Sequence, residues 1–124
     1  RPHTDYYKGI LMLENSLWLR YNPNKTIREV LARLYECSAV EIGDDERALY
    51  ASLKRHLTKK EFRMVMMNEG GLSAEEIGAE VGLSGDELKK AQYKAYRKIR
   101  QDKIRLEVRA SQGKEEFEPE VDAE

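Results

Sequence analysis

The side chains with the most chemical potential fall late in the chain. Lys89, Lys90, Lys94, Arg97 and Lys98 recur at spacings that a helix would gather along one flank. Cations held that way suit phosphate oxygens and the acceptor edges of bases. With Arg100, Lys103, Arg105 and Arg109 they make nine bases against four acids, Asp86, Glu87, Asp102 and Glu107, so residues 84–109 carry about +5. Such a run is either an electrostatic footprint for nucleic acid or simply a solvated face. Other reactive groups are sparse. Cys37 is the one cysteine and lies on the apolar-periodic stretch Val30, Leu31, Leu34, Cys37, where it reads as a small core hydrophobe. His3 and His56 are the two histidines, and no motif ties either to Cys37. Neither a thiol nucleophile with its base nor a zinc site is expected, and no cofactor is called for. Asp44, Asp45 and Glu46 cluster without a companion histidine or second carboxylate motif. They read as acids at a helix start, answering its dipole. The residues give no ground for an enzyme.

The frame around these groups is modest. A chain of 124 residues builds one domain, or two small ones sharing a core. Its 40% hydrophobic content supports a modest core, and its 36% charged content a wet surface. The formal net charge of −1 gives no global attraction to DNA, so local charge must act. No stretch reaches the roughly 18 apolar residues of a membrane helix, and the first residues show no signal-peptide pattern. The expected location is cytoplasmic, with no membrane partner. The chain opens on Arg1 rather than Met, so a processed or excised piece is the expectation.

The expected fold class is all-α, a multi-helix domain containing a helix-turn-helix. Apolar residues at Tyr6, Ile10, Leu13, Leu17 and Tyr21, widened by Leu11 and Trp18, follow helical periodicity. Trp18 reads as core before interface. Four pairs, Thr26–Glu29, Thr58–Glu61, Ser73–Glu76 and Ser84–Glu87, match the capping box, and each precedes an apolar-periodic run. The spacing predicts helices over about 5–20, 26–38, 44–56, 58–68, 73–81 and 84–106. Ala39 to Ile42 alternates like a strand but is too short for a sheet, and reads as a loop packed on the core. Three regions follow: 1–56 as a helical packing or partner-binding region, 57–109 as the helix-turn-helix with an extended basic last helix, and 110–124 as an acidic disordered tail. From Ala110 on there is one Lys against six acids.

Between Leu57 and Arg100 the pattern is three helices with short glycine-containing turns. The middle one buries Ile77, with Ala74 and Val81 in support. Gly82 follows where a left-handed backbone is cheap only for Gly. Leu83 plugs the corner, Ser84 caps the last helix, and Leu88, Ala91 or Gln92, Ala95 and Ile99 form its inner face. Gly78, inside the middle helix, points to close approach of another helix.

Gly71-Leu72-Ser73, Glu76-Ile77-Gly78, Val81-Gly82-Leu83-Ser84, Leu88, Lys94-Ala95 and Ile99-Arg100 hold their spacing together. The segment resembles the helix-turn-helix of bacterial sigma factors, their promoter −35 recognition domain, and the related response-regulator output domains. The resemblance covers about a third of the chain. It implies double-stranded DNA as partner and a role in transcription, with RNA polymerase or another transcription protein as a further partner. It places Ser84, Gly85, Asp86, Glu87, Lys89, Lys90, Tyr93 and Lys94 at the major groove, with Arg97 and Lys98 behind them. Ser73 falls near a phosphate, and Lys59, Lys60 and Arg63 add field from the first helix.

Asp86 and Glu87 depart from a typical groove reader, because acids at the reading tip repel phosphates, although a carboxylate accepts from a cytosine amine. Those acids and the acidic tail keep a second use open: a helix-turn-helix that binds protein, in transcription or as a phage or plasmid accessory factor. The tail also has the charge to compete with DNA for the basic face. RNA binding is a lesser option. Tyr6, Tyr7, Trp18, Tyr21, Tyr35 and Tyr50 concentrate aromatics in the first half, which is expected to pack on the rest. The two-fold logic of many DNA readers raises a homodimer.

Overall fold

The computed structural model describes residues 17–110. The expected helix before Leu17 and the acidic tail beyond Ala110 lie outside the described residues. The fold is all-α. Its helices are α1 (Leu17–Tyr21), α2 (Ile27–Tyr35), α3 (Glu46–His56), α4 (Lys59–Glu69), α5 (Ala74–Val81), α6 (Gly85–Ile99) and α7 (Asp102–Arg105). A 3-10 turn over Ala39–Glu41 links α2 to α3.

α4 is the wall on which the rest is built. Phe62, Val65 and Met66 face a first core with Trp18, Ile27, Leu31, Leu49, Leu53, Ala95, Ile99 and Ile104. Met64 and Met67 face a second, smaller core with Ile77, Val81 and Leu88. Its apolar residues Phe62, Met64, Val65, Met66 and Met67 are all buried, and they serve two cores because they spread over more than one face. The first core draws on both halves of the chain, and Leu57 lies within it, so the sequence boundary at 56 is not a gap in packing. Trp18 is core, and its indole N–H donates to the Lys25 carbonyl at 2.8 Å.

The helix starts follow their capping residues unevenly. Thr58–Glu61 and Ser73–Glu76 form complete capping boxes. Thr26 accepts from the Glu29 amide at 3.0 Å. Ser84 occupies the N-cap of α6 but makes no side-chain capping bond. The acidic cluster serves two helices. Asp45 caps α3, and Glu46 reaches across to accept from the Ile27 and Arg28 amides of α2 at 2.9 and 3.0 Å. Carboxylates at helix N-termini satisfy orphan amides and oppose the dipole.

The helix expected over 84–106 is broken. α6 stops at Ile99, whose carbonyl accepts from the Tyr35 hydroxyl at 2.7 Å. Gln101 is extended, and α7 starts on a new axis. The cause lies in apolar phase. On an unbroken helix Ile104 would sit about 140° round from Ile99, and Val108 about 180°, both toward solvent. The bend turns both into the core, where they are buried. The basic residues after Arg100 therefore do not extend α6: Arg105 pairs with Asp102 at 2.7 Å, and Arg109 forms a lone antiparallel bridge with Ile42. That bridge is all that remains of the alternation at Ala39 to Ile42.

Gly82 closes α5 at φ +75, and the Gly82 and Leu83 amides both donate to the Gly78 carbonyl, at 2.7 and 3.1 Å. The Leu88 side chain of α6 does approach Gly78, as its position suggests, but the tighter contact is with the chain's own turn. A Cβ there would run into the Leu83 carbonyl, so the glycine admits the returning turn of its own helix.

Candidate nucleic-acid interface

The floor of the candidate site is α4, which grips α6 at two points. Lys98 donates to Glu61 at 2.8 Å, and the Tyr96 hydroxyl donates to Glu69 at 2.7 Å. Leu88, Ala95 and Ile99 are buried beneath α6, so helical geometry turns residues 86, 89, 90, 93, 94 and 97 outward. All six are exposed. Tyr93 is 64% exposed, unusual for a large aromatic ring, and it lies among Lys89, Lys90, Lys94 and Arg97. None of these four cations has an ion-pair or hydrogen-bond partner within the described residues.

The other proposed contacts divide. Lys59 and Lys60 are exposed in the first turn of α4. Arg63 is engaged by Glu80 of α5 at 3.1 Å, and Lys98 by Glu61, so both are partly neutralised by structural pairing. Ser73 spends its hydroxyl on the Glu76 amide at the start of α5. Ser84 keeps its hydroxyl free of the helix, and Gly85 stands at φ +55, a conformation strained for any side chain. Asp86 and Glu87 are exposed and make no capping bond. Glu87 is thus not the partner in a capping box that its spacing from Ser84 implies. From Gly85 to Lys94 the exposed charge is three lysines against two acids, a face slightly positive rather than negative.

Behind this face lies a polar cluster without a local sequence signal. The Glu69 side chain, 3% exposed, receives both terminal nitrogens of Arg33 at 2.9 and 2.8 Å. It also receives Tyr96 and, at 3.3 Å, Lys25. Asn68 donates to the Tyr96 hydroxyl at 2.9 Å. Burial alone would raise the Glu69 carboxyl. The bonds from Arg33, Tyr96 and Lys25 outweigh burial and hold it at about 2. Glu61 follows the same logic: burial pushes up, while Lys98 and the Thr58 amide and hydroxyl pull it below the ordinary range. The Tyr96 hydroxyl is pushed up by burial and by its bond to Glu69.

The remaining reactive groups lie elsewhere. Cys37 is half-buried beside a groove of about 420 Å³ with Tyr35, Glu41, Arg105 and Arg109. Burial and the Glu41 charge push its thiol up, away from the thiolate form that reacts. His56 and Arg55 contact Glu107 at 2.8 Å each, and the Ser52 hydroxyl donates to it at 2.7 Å. No group of three potential metal ligands occurs among the described residues, nor is any described helix long and apolar enough to cross a membrane. No family model, no curated protein and no solved structure matches the chain.

Proposed function

We propose that the chain is a sequence-specific DNA-binding regulator of transcription that lays the outer face of α6 in the major groove. One observation carries this reading: four cations without a partner among the described residues, Lys89, Lys90, Lys94 and Arg97, surround the exposed ring of Tyr93 on a helix anchored from behind. Lysine and arginine reach phosphates and guanine acceptors, while a tyrosine supplies a flat apolar surface with a polar tip. The resemblance to sigma-factor promoter recognition supports the same use, with RNA polymerase or another transcription protein as partner and the cytoplasm as the place of work. A homodimer would match a two-fold operator.

The test is binding of fluorescent duplexes as salt is varied. Four phosphate contacts give a log–log salt slope of about −3.6. Absence of binding at about 20 mM salt, where electrostatic attraction is strongest, sinks the reading. Selection from a random duplex pool then supplies the sequence preference. A second reading rests on Asp86 and Glu87, which stand exposed at the tip with no capping duty. It makes the same face a docking surface for a protein with basic side chains. Reversing Asp86 and Glu87 to lysine separates the two: DNA binding tightens under the first reading, whereas protein docking is lost under the second.

A further inference from the structure

The C-terminal end of α6 carries a shallow notch on one flank, where Lys94, Arg97, Lys98 and Gln101 fall at i, i+3, i+4 and i+7. Gln101, the extended residue before α7, continues the flank of α6 that carries Lys94, Arg97 and Lys98. Together these four line a recess of about 220 Å³. That space holds several waters at about 30 Å³ each, and so a phosphate group with part of its hydration shell. Lys94 and Arg97 have no partner among the described residues, and the Lys98 ammonium gives one bond to Glu61 and has two protons left. The carboxylate of Glu61 removes one charge, leaving the recess net cationic. The negative end of the α6 dipole opposes an anion by about half a charge, less than the surplus. The carbonyls of that end are already occupied, Lys98 by the Gln101 amide at 3.1 Å and Ile99 by Tyr35.

We propose that this notch is a phosphate-binding subsite. Arg97 and Lys94 supply charge-assisted bonds, Lys98 a shared one, and the Gln101 side-chain amide a neutral donor that fixes position. The proposal rests on the DNA reading only for its ligand's source, since the same chemistry suits a backbone phosphodiester or a free polyphosphate. On a duplex, the notch anchors the backbone behind the bases that the N-terminal part of α6 meets. It thereby offsets the acids at the tip.

The experiment uses the full chain with tripolyphosphate and, separately, a duplex, read by NMR shifts of the Gln101 side-chain amide and the Arg97 Nε–H. Expected are saturable shifts with tripolyphosphate, weakened at least about tenfold by Arg97→Ala with Lys94→Ala. Lys103→Ala, which removes an exposed cation outside the notch, should change affinity less than about twofold. Equal losses from the two sets of changes, or shifts spread evenly over all lysines, overturn the subsite. Saturable tripolyphosphate binding without duplex binding upholds the notch with a free phosphate as ligand and removes the DNA reading. Duplex binding that depends on Lys89 and Lys90 yet ignores Lys94, Arg97 and Gln101 removes the notch alone.

Discussion

α6 meets two environments, and its cations behave differently in each. On the inner edge Lys98 is bound to Glu61, and Tyr96 joins Arg33 and Lys25 around Glu69. On the outer face Lys89, Lys90, Lys94 and Arg97 are exposed and have no partner among the described residues. The inner contacts are long-range, joining residues 27 to 44 positions apart in sequence. They specify where α6 lies. Outer charges contribute almost nothing to folding, since exposed charges seldom do. Under the proposed function they serve an external partner instead. A substitution that harms both stability and binding belongs to the first class, and one that harms binding alone to the second.

The largest effect is expected at Glu69. Glu69→Ala strands Arg33 and Lys25 and deprives Tyr96 of its acceptor, at a cost of about 2–4 kcal/mol in urea unfolding. The pH dependence has a definite sign. The folded carboxyl sits near 2, below an unfolded value near the ordinary 4.3, so its stabilisation is full above the unfolded value. It is lost as pH falls from about 4.3 toward 2. Glu69→Gln should flatten that acid limb. A limb unchanged by this substitution would locate the acid sensitivity elsewhere, with Glu107, held at about 2 by Ser52, His56 and Arg55, as the next candidate.

Next comes the outer face. Lys89→Glu with Lys90→Glu should leave unfolding within about 0.5 kcal/mol of the parent. Duplex affinity should fall at least about tenfold at low salt. Loss of stability instead would show that these lysines serve the fold, and the contrast between the two sides of α6 would disappear. Gly78→Ala lies between the classes. Alanine favours a helix interior by about 1 kcal/mol, but here its Cβ meets the Leu83 carbonyl, so a net loss of about 1–3 kcal/mol is expected. Thermal unfolding measures it. A gain would mean that the turn between α5 and α6 relaxes freely.

Elements with local causes were legible in the sequence. The starts of α4 and α5 follow from Thr58–Glu61 and Ser73–Glu76, and Gly82 announces its left-handed turn. The break after Ile99 was legible in principle, because Ile104 and Val108 are out of phase with Leu88, Ala95 and Ile99. A run of basic residues masked it. The Glu69 cluster was not legible. Arg33, Glu69 and Tyr96 have no spacing in common, and only the packing of α2, α4 and α6 brings them together. Of the candidate contacts, Lys89, Lys90, Tyr93, Lys94 and Arg97 are exposed as helical periodicity requires. Arg63 and Lys98 are drawn into pairs with acids distant in sequence, which no local pattern reveals.

The smallest effect sharpens the comparison by touching neither side of α6. α2 ends with Glu36 at φ 56, the one non-glycine residue at positive φ among those described. Its amide and that of Cys37 close the helix onto the Ala32 carbonyl, at 3.0 Å for Cys37. This end therefore needs a left-handed residue, and glutamate adopts that conformation at a cost of about 1 kcal/mol. Glu36 is exposed and engages no partner among the described residues, so its side chain offers little in return. Glu36→Gly relieves the strain but widens the unfolded ensemble, and the balance is a gain of about 0.5 kcal/mol. Chemical denaturation would detect it as a higher midpoint at unchanged slope. Duplex affinity should stay constant, since the substitution leaves both the Glu69 cluster and the outer cations in place. A rise in affinity beyond about twofold would instead couple the end of α2 to the face of α6, through Arg33 and Glu69 to Tyr96.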